Sequence, residues 1–184
     1  MEKTVQLKNG KYVTIRPAQL TDAENLRETV KKYLDESTYI PKSSDEFKLS
    51  VAEEQSWIRS FNEKENSLLL VAVSEGCIVG NIDVTGHTRH AMMHTAVIGM
   101  GMLSEWRNLG LGTALMQQAI NWACNSAILE MLWLEVYTEN EAGIALYKNS
   151  GFEECGIVKD FFKNDGRYFD KLTMRMSVLS PEVR

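Results

Sequence analysis

Apolar positions along the chain change period several times, and each change marks an expected element. Two short alternating runs, residues 5–8 and 11–15, flank Asn9-Gly10, a dipeptide that favours the positive φ angles of a tight turn, so the chain should open on a β-hairpin. Thr21 with Glu24 three residues on has the spacing of a capping box, for a helix running to about Asp35. The polar stretch 36–49 reads as a loop, too short to separate two cores. Ser50 and Glu53 repeat the capping spacing, and Val51, Trp57, Ile58 and Phe61 share one face of a second helix.

Residues 68–74, 77–85 and 94–103 read as three apolar strands in an antiparallel meander, the first two joined by Glu75-Gly76. The rhythm then alternates: a helix over 111–125, a strand over 131–137 and a helix over 141–149 stopped by Gly151, the order expected of a parallel strand pair. A strand near 152–158, a turn at Asp165-Gly166 and a strand over 168–178 close the chain as a second hairpin. No internal repeat or low-complexity tract interrupts the series. The expectation is one mixed α+β domain over residues 1–184.

Composition narrows the function. The 20 basic and 25 acidic residues give a net charge of -5 with no basic block, which disfavours nucleic acid as a partner. No apolar run approaches the roughly 18 to 20 residues that span a bilayer, so no membrane segment is expected. The opening residues carry no apolar stretch behind their charges, as a secretory signal or transit peptide would, which makes a cytoplasmic location the expectation. Cys77, Cys124 and Cys155 are odd in number and widely spaced. They read as reduced core-type thiols, with neither a disulfide framework nor a zinc site.

The segment Trp106, Arg107, Asn108, Leu109, Gly110, Leu111, Gly112, Thr113 follows an apolar strand and opens an apolar helix. Such a junction leaves successive backbone N–H groups unpaired, glycine admits a phosphate close to the backbone, and the helix dipole favours its charge. Arg107 would add a permanent cation with forked donors. The segment lacks the Gly-Lys-Ser/Thr ending of a nucleotide-hydrolysing loop and a full G-x-G-x-x-G.

Arg107-x-x-Gly110-x-Gly112 after Ile98-Gly99-Met100-Gly101-Met102 resembles the acetyl-CoA signature of the GNAT superfamily. Downstream, Leu132-Trp133-Leu134-Glu135-Val136, Asn140, Ile144-Ala145-Leu146-Tyr147 and Gly151-Phe152 are similar to that family's second signature. With Ile15-Arg16-Pro17-Ala18 and Gly166-x-Tyr168-x-Asp170, the resemblance covers about residues 13–176. It implies a mostly antiparallel mixed sheet of about seven strands with about four helices, splayed into a V that receives acetyl-CoA. It further implies backbone contacts to pantetheine from Met102 and Leu103, a pyrophosphate on residues 107–113, and Asn140 as a hydrogen-bonding partner of the cofactor arm. Where similar proteins usually carry Ala, this chain has Gly143, which softens the helix that presents Tyr147.

Acyl transfer from a thioester needs a neutral amine, a donor for the oxyanion and an acid for the departing thiolate. By the resemblance Tyr147 is that acid, and Glu135, twelve residues earlier on a strand, is the candidate base, acting directly or through water. An isolated strand carboxylate is otherwise a salt-bridge or solvent group. The spacing of His87, His90 and His94 invites a metal, but no carboxylate cluster accompanies them, so no metal is expected. The resemblance further places the acceptor pocket between the first two helices and the closing hairpin, around Tyr33, Tyr39, Glu53, Glu54, Trp57, Phe161 and Tyr168.

The resemblance makes the chain an N-acetyltransferase acting from acetyl-CoA on a primary amine of a small molecule or amino acid. An α-amino group is more often neutral at pH 7 than a lysine-type amine, which leans the acceptor toward α-amines. The in-family alternative is a protein N-terminus, as for ribosomal-protein alanine acetyltransferases. A non-catalytic acyl-CoA sensor is the alternative from another class. Similar proteins are often homodimers.

Overall fold

The computed structural model describes residues 1–179; residues 180–184 of the expected domain lie outside the described part. One eight-stranded sheet runs in the order β1-β2-β3-β4-β5-β6-β8-β7. Its strands are β1 (Lys3–Gln6), β2 (Tyr12–Pro17), β3 (Leu68–Ser74), β4 (Cys77–Gly86), β5 (Thr95–Met102), β6 (Met131–Tyr137), β7 (Glu153–Asn164) and β8 (Arg167–Ser177). Every pair is antiparallel except β5 with β6. The count is eight rather than about seven because β1 adds itself outside β2 through four register pairs.

Four helices cover the sheet: α1 (Ala23–Asp35), α2 (Val51–Asn62), α3 (Leu111–Cys124) and α4 (Glu141–Asn149). Strand alternation separates the faces. On β5, Gly99 and Gly101 face α1, where the Tyr33 ring lies so close over Gly101 that a Cβ there would stand 2.4 Å from it. Met100 and Met102 face the other side and reach Gly112 of α3 beside Leu146 of α4. The core between these layers is built on fully buried Leu26, Ile58, Leu70, Ile82, Leu111, Leu115, Met116, Leu132 and Leu134. Each such side chain contributes about 1.5–3 kcal/mol of transfer free energy.

Three local expectations are corrected. Helix α1 starts at Ala23, one residue after Asp22, and not from a Thr21 cap. Asp22 receives both guanidinium nitrogens of Arg16, at 2.7 and 2.8 Å, and the Gln19 N–H at 2.8 Å. Burial pushes the Asp22 carboxyl up, but these donors outweigh it and hold the net value below the ordinary range. In the first hairpin only Gly10 takes a positive φ, while Asn9 Oδ1 accepts from the Lys11 N–H at 3.1 Å. Two-residue turns of mirror geometry lie instead at Glu75-Gly76, with φ of 51° and 80°, and at Asp165-Gly166, with φ of 48° and 80°. Cys77, Cys124 and Cys155 are all exposed, not core residues.

Candidate active site

The parallel pair β5 and β6 holds together only over Thr95↔Met131, Ala96↔Leu132 and Val97↔Trp133. Past that point β5 stays with β4 through Met102, and β6 stays with β8 through Tyr137. The two strands part, and a cleft opens through the sheet. Its backbone lining follows from the ladder. The His87 N–H donates to the Thr95 carbonyl and the Leu103 N–H to the Val79 carbonyl, so odd-numbered residues of β5 spend their peptide groups on β4. Met100 and Met102 turn theirs to the cleft. On β6 the Thr138 and Val178 ladder bonds leave Glu135 and Tyr137 facing it. Met102 is therefore positioned to meet an extended ligand, Leu103 is not, and Met100 is a lining residue that the motif did not reveal.

At the end of β5 the chain enters the glycine loop. Asn108 and Gly110 take φ of 62° and 93°, a pair of left-handed residues that turns the backbone into α3. Among the described residues no backbone carbonyl outside the helix takes the N–H groups of Asn108, Leu109, Gly110, Leu111, Gly112 or Thr113; the first recorded bond is Ala114 N–H to Gly110 O at 3.0 Å. Helix α3 is 14 residues long, and it presents its positive end to this concavity. Nothing lies within 4 Å of a Cβ built at Gly110. An anionic cofactor arm fits these donors and this space.

Arg107 differs from expectation. Its guanidinium donates to the Glu36 carbonyl at 3.1 Å and to the Met102 carbonyl at 3.3 Å. Glu36 also accepts the Ser104 N–H through Oε2 at 2.7 Å. Arg107 thus ties the loop to the end of α1 instead of offering its whole fork to a phosphate. Glu36 is a structural partner that sequence reasoning missed; 71 residues separate the two, and no local pattern marks such a contact.

Tyr147 of α4 is half-buried, with its ring edge-on to Phe152 at 6.1 Å between centroids. Burial raises its pKa, so the phenol stays protonated and keeps its proton to donate. Among the described residues its hydroxyl has no hydrogen-bond partner, so it is not spent on the backbone. Asn140 caps α4 by accepting the Gly143 N–H on Oδ1 at 3.0 Å, and among the described residues its amide nitrogen has no partner. Gly143 has its own reason: a Cβ there would stand 2.7 Å from that amide nitrogen.

The α1 side of the cleft carries Asn81, Asp83 and Thr85 on β4 and Glu135 and Tyr137 on β6. Tyr137 is buried, stacked on Phe162 at 3.9 Å, with Tyr39 at 5.8 Å and Phe169 at 5.6 Å. Glu135 Oε1 receives Lys171 Nζ at 2.6 Å, and that ammonium also stands 3.7 Å over the Phe161 ring. Tyr33 donates to Asn81 Oδ1 at 3.1 Å, and burial raises its pKa, helped by the charges of Asp83 and Glu54.

The expected acceptor residues divide. Tyr33 and Tyr39 stand by this face, and Phe161 reaches it through Lys171. Glu53 is an exposed cap of α2, bonded to the Ser50 hydroxyl and N–H. Tyr168 is exposed on the closing hairpin. Glu54 is 1% exposed, and among the described residues neither of its oxygens has a hydrogen-bond partner. Trp57 packs edge-on against Phe61. His87 lies parallel to Trp133 at 6.2 Å, while His90 and His94 are exposed. Among the described residues no group of three metal-ligating side chains occurs, and no helix is long and apolar enough to cross a membrane.

Known proteins share this geometry. The sequence model of the acetyltransferase (GNAT) family matches residues 28–152. The L-amino acid N-acetyltransferase AaaT of Escherichia coli is 27% identical over 164 residues, 88% of this chain and 96% of that protein. The crystal structure of a GNAT-family acetyltransferase from Streptococcus pneumoniae superposes with a TM-score of 0.87 at 27% identity, covering 90% of this chain and 99% of that one. The yncA protein of Salmonella typhimurium, solved with its cofactor acetyl-CoA, shares the fold with a TM-score of 0.81 at 17% identity over 90% of this chain and 94% of its own.

Proposed function

The chain belongs to the acetyltransferase (GNAT) family and is an acetyl-CoA-dependent N-acyltransferase, and we propose that its acceptor is the primary amine of a free amino acid or similar small molecule. The observation that carries the reading is the parting of β5 and β6 after Val97 and Trp133, beside a helix N-terminus with free backbone donors. Support for a small acceptor comes from the aromatic wall of Tyr39, Tyr137 and Phe162, and from the near full-length match to an amino-acid acetyltransferase.

In this reading the N–H groups of residues 108–113 hold the pyrophosphate, the peptide groups of Met100 and Met102 align the pantetheine arm, and the Asn140 amide donates to it. Bound acetyl-CoA supplies the activated acyl group. Tyr147 donates its hydroxyl proton to the sulfur as the C–S bond breaks. The carboxylates on the acceptor face able to take the amine's proton are Glu135 and Asp83. Arg107 keeps the glycine loop registered against α1.

The test is acetyl-CoA-dependent thiol release over the amino acids, polyamines and short peptides, with the acetylated product identified by mass spectrometry. Turnover on free amines is the expected result. Turnover on peptide N-termini alone would move the acceptor to protein, and cofactor binding without turnover on any amine would leave an acyl-CoA sensor.

A further inference from the structure

Asp83 stands directly opposite Gly99 across the β4 and β5 ladder, two residues past Val97, where β5 leaves β6. Its carboxylate leans over the glycine: a Cβ on Gly99 would come 2.7 Å from Oδ1. Any other residue at 99 would thus displace it. Next along the strand, the Tyr33 ring fills the space over Gly101 in the same way. Thr85 Oγ1 donates to Oδ2 at 3.0 Å, which fixes the carboxylate, and among the described residues Oδ1 has no hydrogen-bond donor.

Building on the acetyltransferase reading, we propose that Asp83 is the group that takes the proton from the acceptor's ammonium. It is half-buried on the α1 face of the sheet, the face on which the acceptor is placed in that reading. Glu135 is already committed to Lys171, whose ammonium stands 2.6 Å from its Oε1. Among the described residues Asp83 is paired with no cation. Burial pushes its carboxyl up to about 6, against the smaller opposing effect of the Thr85 hydroxyl. That value suits a base working near neutrality.

Tyr33 on α1 stays a neutral phenol, Glu54 on α2 is the other buried carboxyl near Tyr33, β5 contributes the uncharged Val97, Gly99 and Gly101, and across the cleft β6 carries Glu135 with its partner Lys171. The protons balance. Asp83 accepts one from R–NH3+, the neutral amine forms the C–N bond, and the C–S electron pair leaves with sulfur, which takes the Tyr147 proton. The second amine proton restores Tyr147 through solvent, and Asp83 releases its own to solvent.

The experiment measures kcat/KM against pH for wild type, Asp83→Asn, Asp83→Glu and Glu135→Gln, using the best amine from the acceptor panel, with acetyl-CoA affinity as the folding control. Expected for Asp83→Asn is a loss of about tenfold or more at pH 7 that shrinks as pH rises toward the amine's own pKa, with unchanged acetyl-CoA affinity. The wild-type acidic limb near pH 6 should vanish in Asp83→Asn, return in part in Asp83→Glu and persist in Glu135→Gln. An Asp83→Asn profile identical to wild type, or a limb lost only in Glu135→Gln, overturns the assignment while leaving the transferase reading intact. A wild-type protein that acetylates no amine overturns both. If Asp83→Asn fails to bind acetyl-CoA, a carbon-13 NMR titration of the wild-type Asp83 carboxyl decides: a midpoint near 6 that moves with bound amine supports the role, and an ordinary midpoint blind to the amine removes it.

Discussion

Lys171 Nζ rests 2.6 Å from Glu135 Oε1, reaching diagonally from β8 to β6, since Lys171 itself pairs with Tyr137 and Glu135 with Thr173. The lysine is 9% exposed, so its ammonium depends on that carboxylate and on the Phe161 ring for what water would otherwise supply. Glu135→Gln should therefore cost about 1 kcal/mol, the carboxylate being partly exposed, which for a chain of this length lowers Tm by a few degrees. Calorimetry of the variant at pH 7 checks it. A Tm unchanged in Glu135→Gln would mean that the pair is solvated and energetically idle.

Tyr147→Phe should lower kcat about tenfold or more while leaving acetyl-CoA affinity unchanged, because the ring that packs on Phe152 is kept and only the hydroxyl is lost. Stopped-flow thiol release separates the two parameters. An unaltered kcat would place Tyr147 outside the chemistry.

Glu54 gives the fold a specific pH dependence. Burial pushes its carboxyl up to about 7 from 4.5, against the opposing pull of Lys42 and Arg27. Between those values the folded protein binds a proton that the unfolded chain has released, so this group's contribution to stability is full below about 4.5 and falls as pH rises to about 7. Glu54→Met removes both the buried charge and the dependence. Its Tm gain should be larger at pH 8 than at pH 5, and a gain equal at both pH values would show that the carboxyl titrates normally in the fold.

How far the sequence disclosed this molecule depends on the range over which each feature is decided. Strand β6 and helix α4 were legible to the residue, because an apolar run broken only by Glu135 and an Asn140 start with a Gly151 stop are local signals. The glycine loop was legible for the same reason. The start of α1 was not, because Asp22 is held by Arg16 from the preceding strand. Leu103 was expected to face the cofactor with Met102, but which of two neighbours faces the cleft depends on hydrogen-bond parity with β4, which a motif does not carry. Asp83 escaped notice altogether. Its only trace in the sequence is a glycine sixteen residues later, which gains meaning once the β4 and β5 register is known.

Gly143 sits where a side chain would collide with the cap of its own helix, and this gives an opposed pair of effects. Gly143→Ala adds about 1 kcal/mol of helix propensity. The new methyl would start 2.7 Å from Asn140 Nδ2 and 3.0 Å from Oδ1, so the Asn140 side chain must swing away and the bond to the residue 143 N–H is weakened. Loss of a cap costs about 1 kcal/mol, so the net change in Tm should be small. If Asn140 holds the cofactor arm as proposed, acetyl-CoA affinity should fall all the same, because the same swing moves its amide. Titration calorimetry with acetyl-CoA reads this directly. Gly143→Ala with wild-type affinity and a raised Tm would mean that Asn140 serves α4 alone and never touches the cofactor.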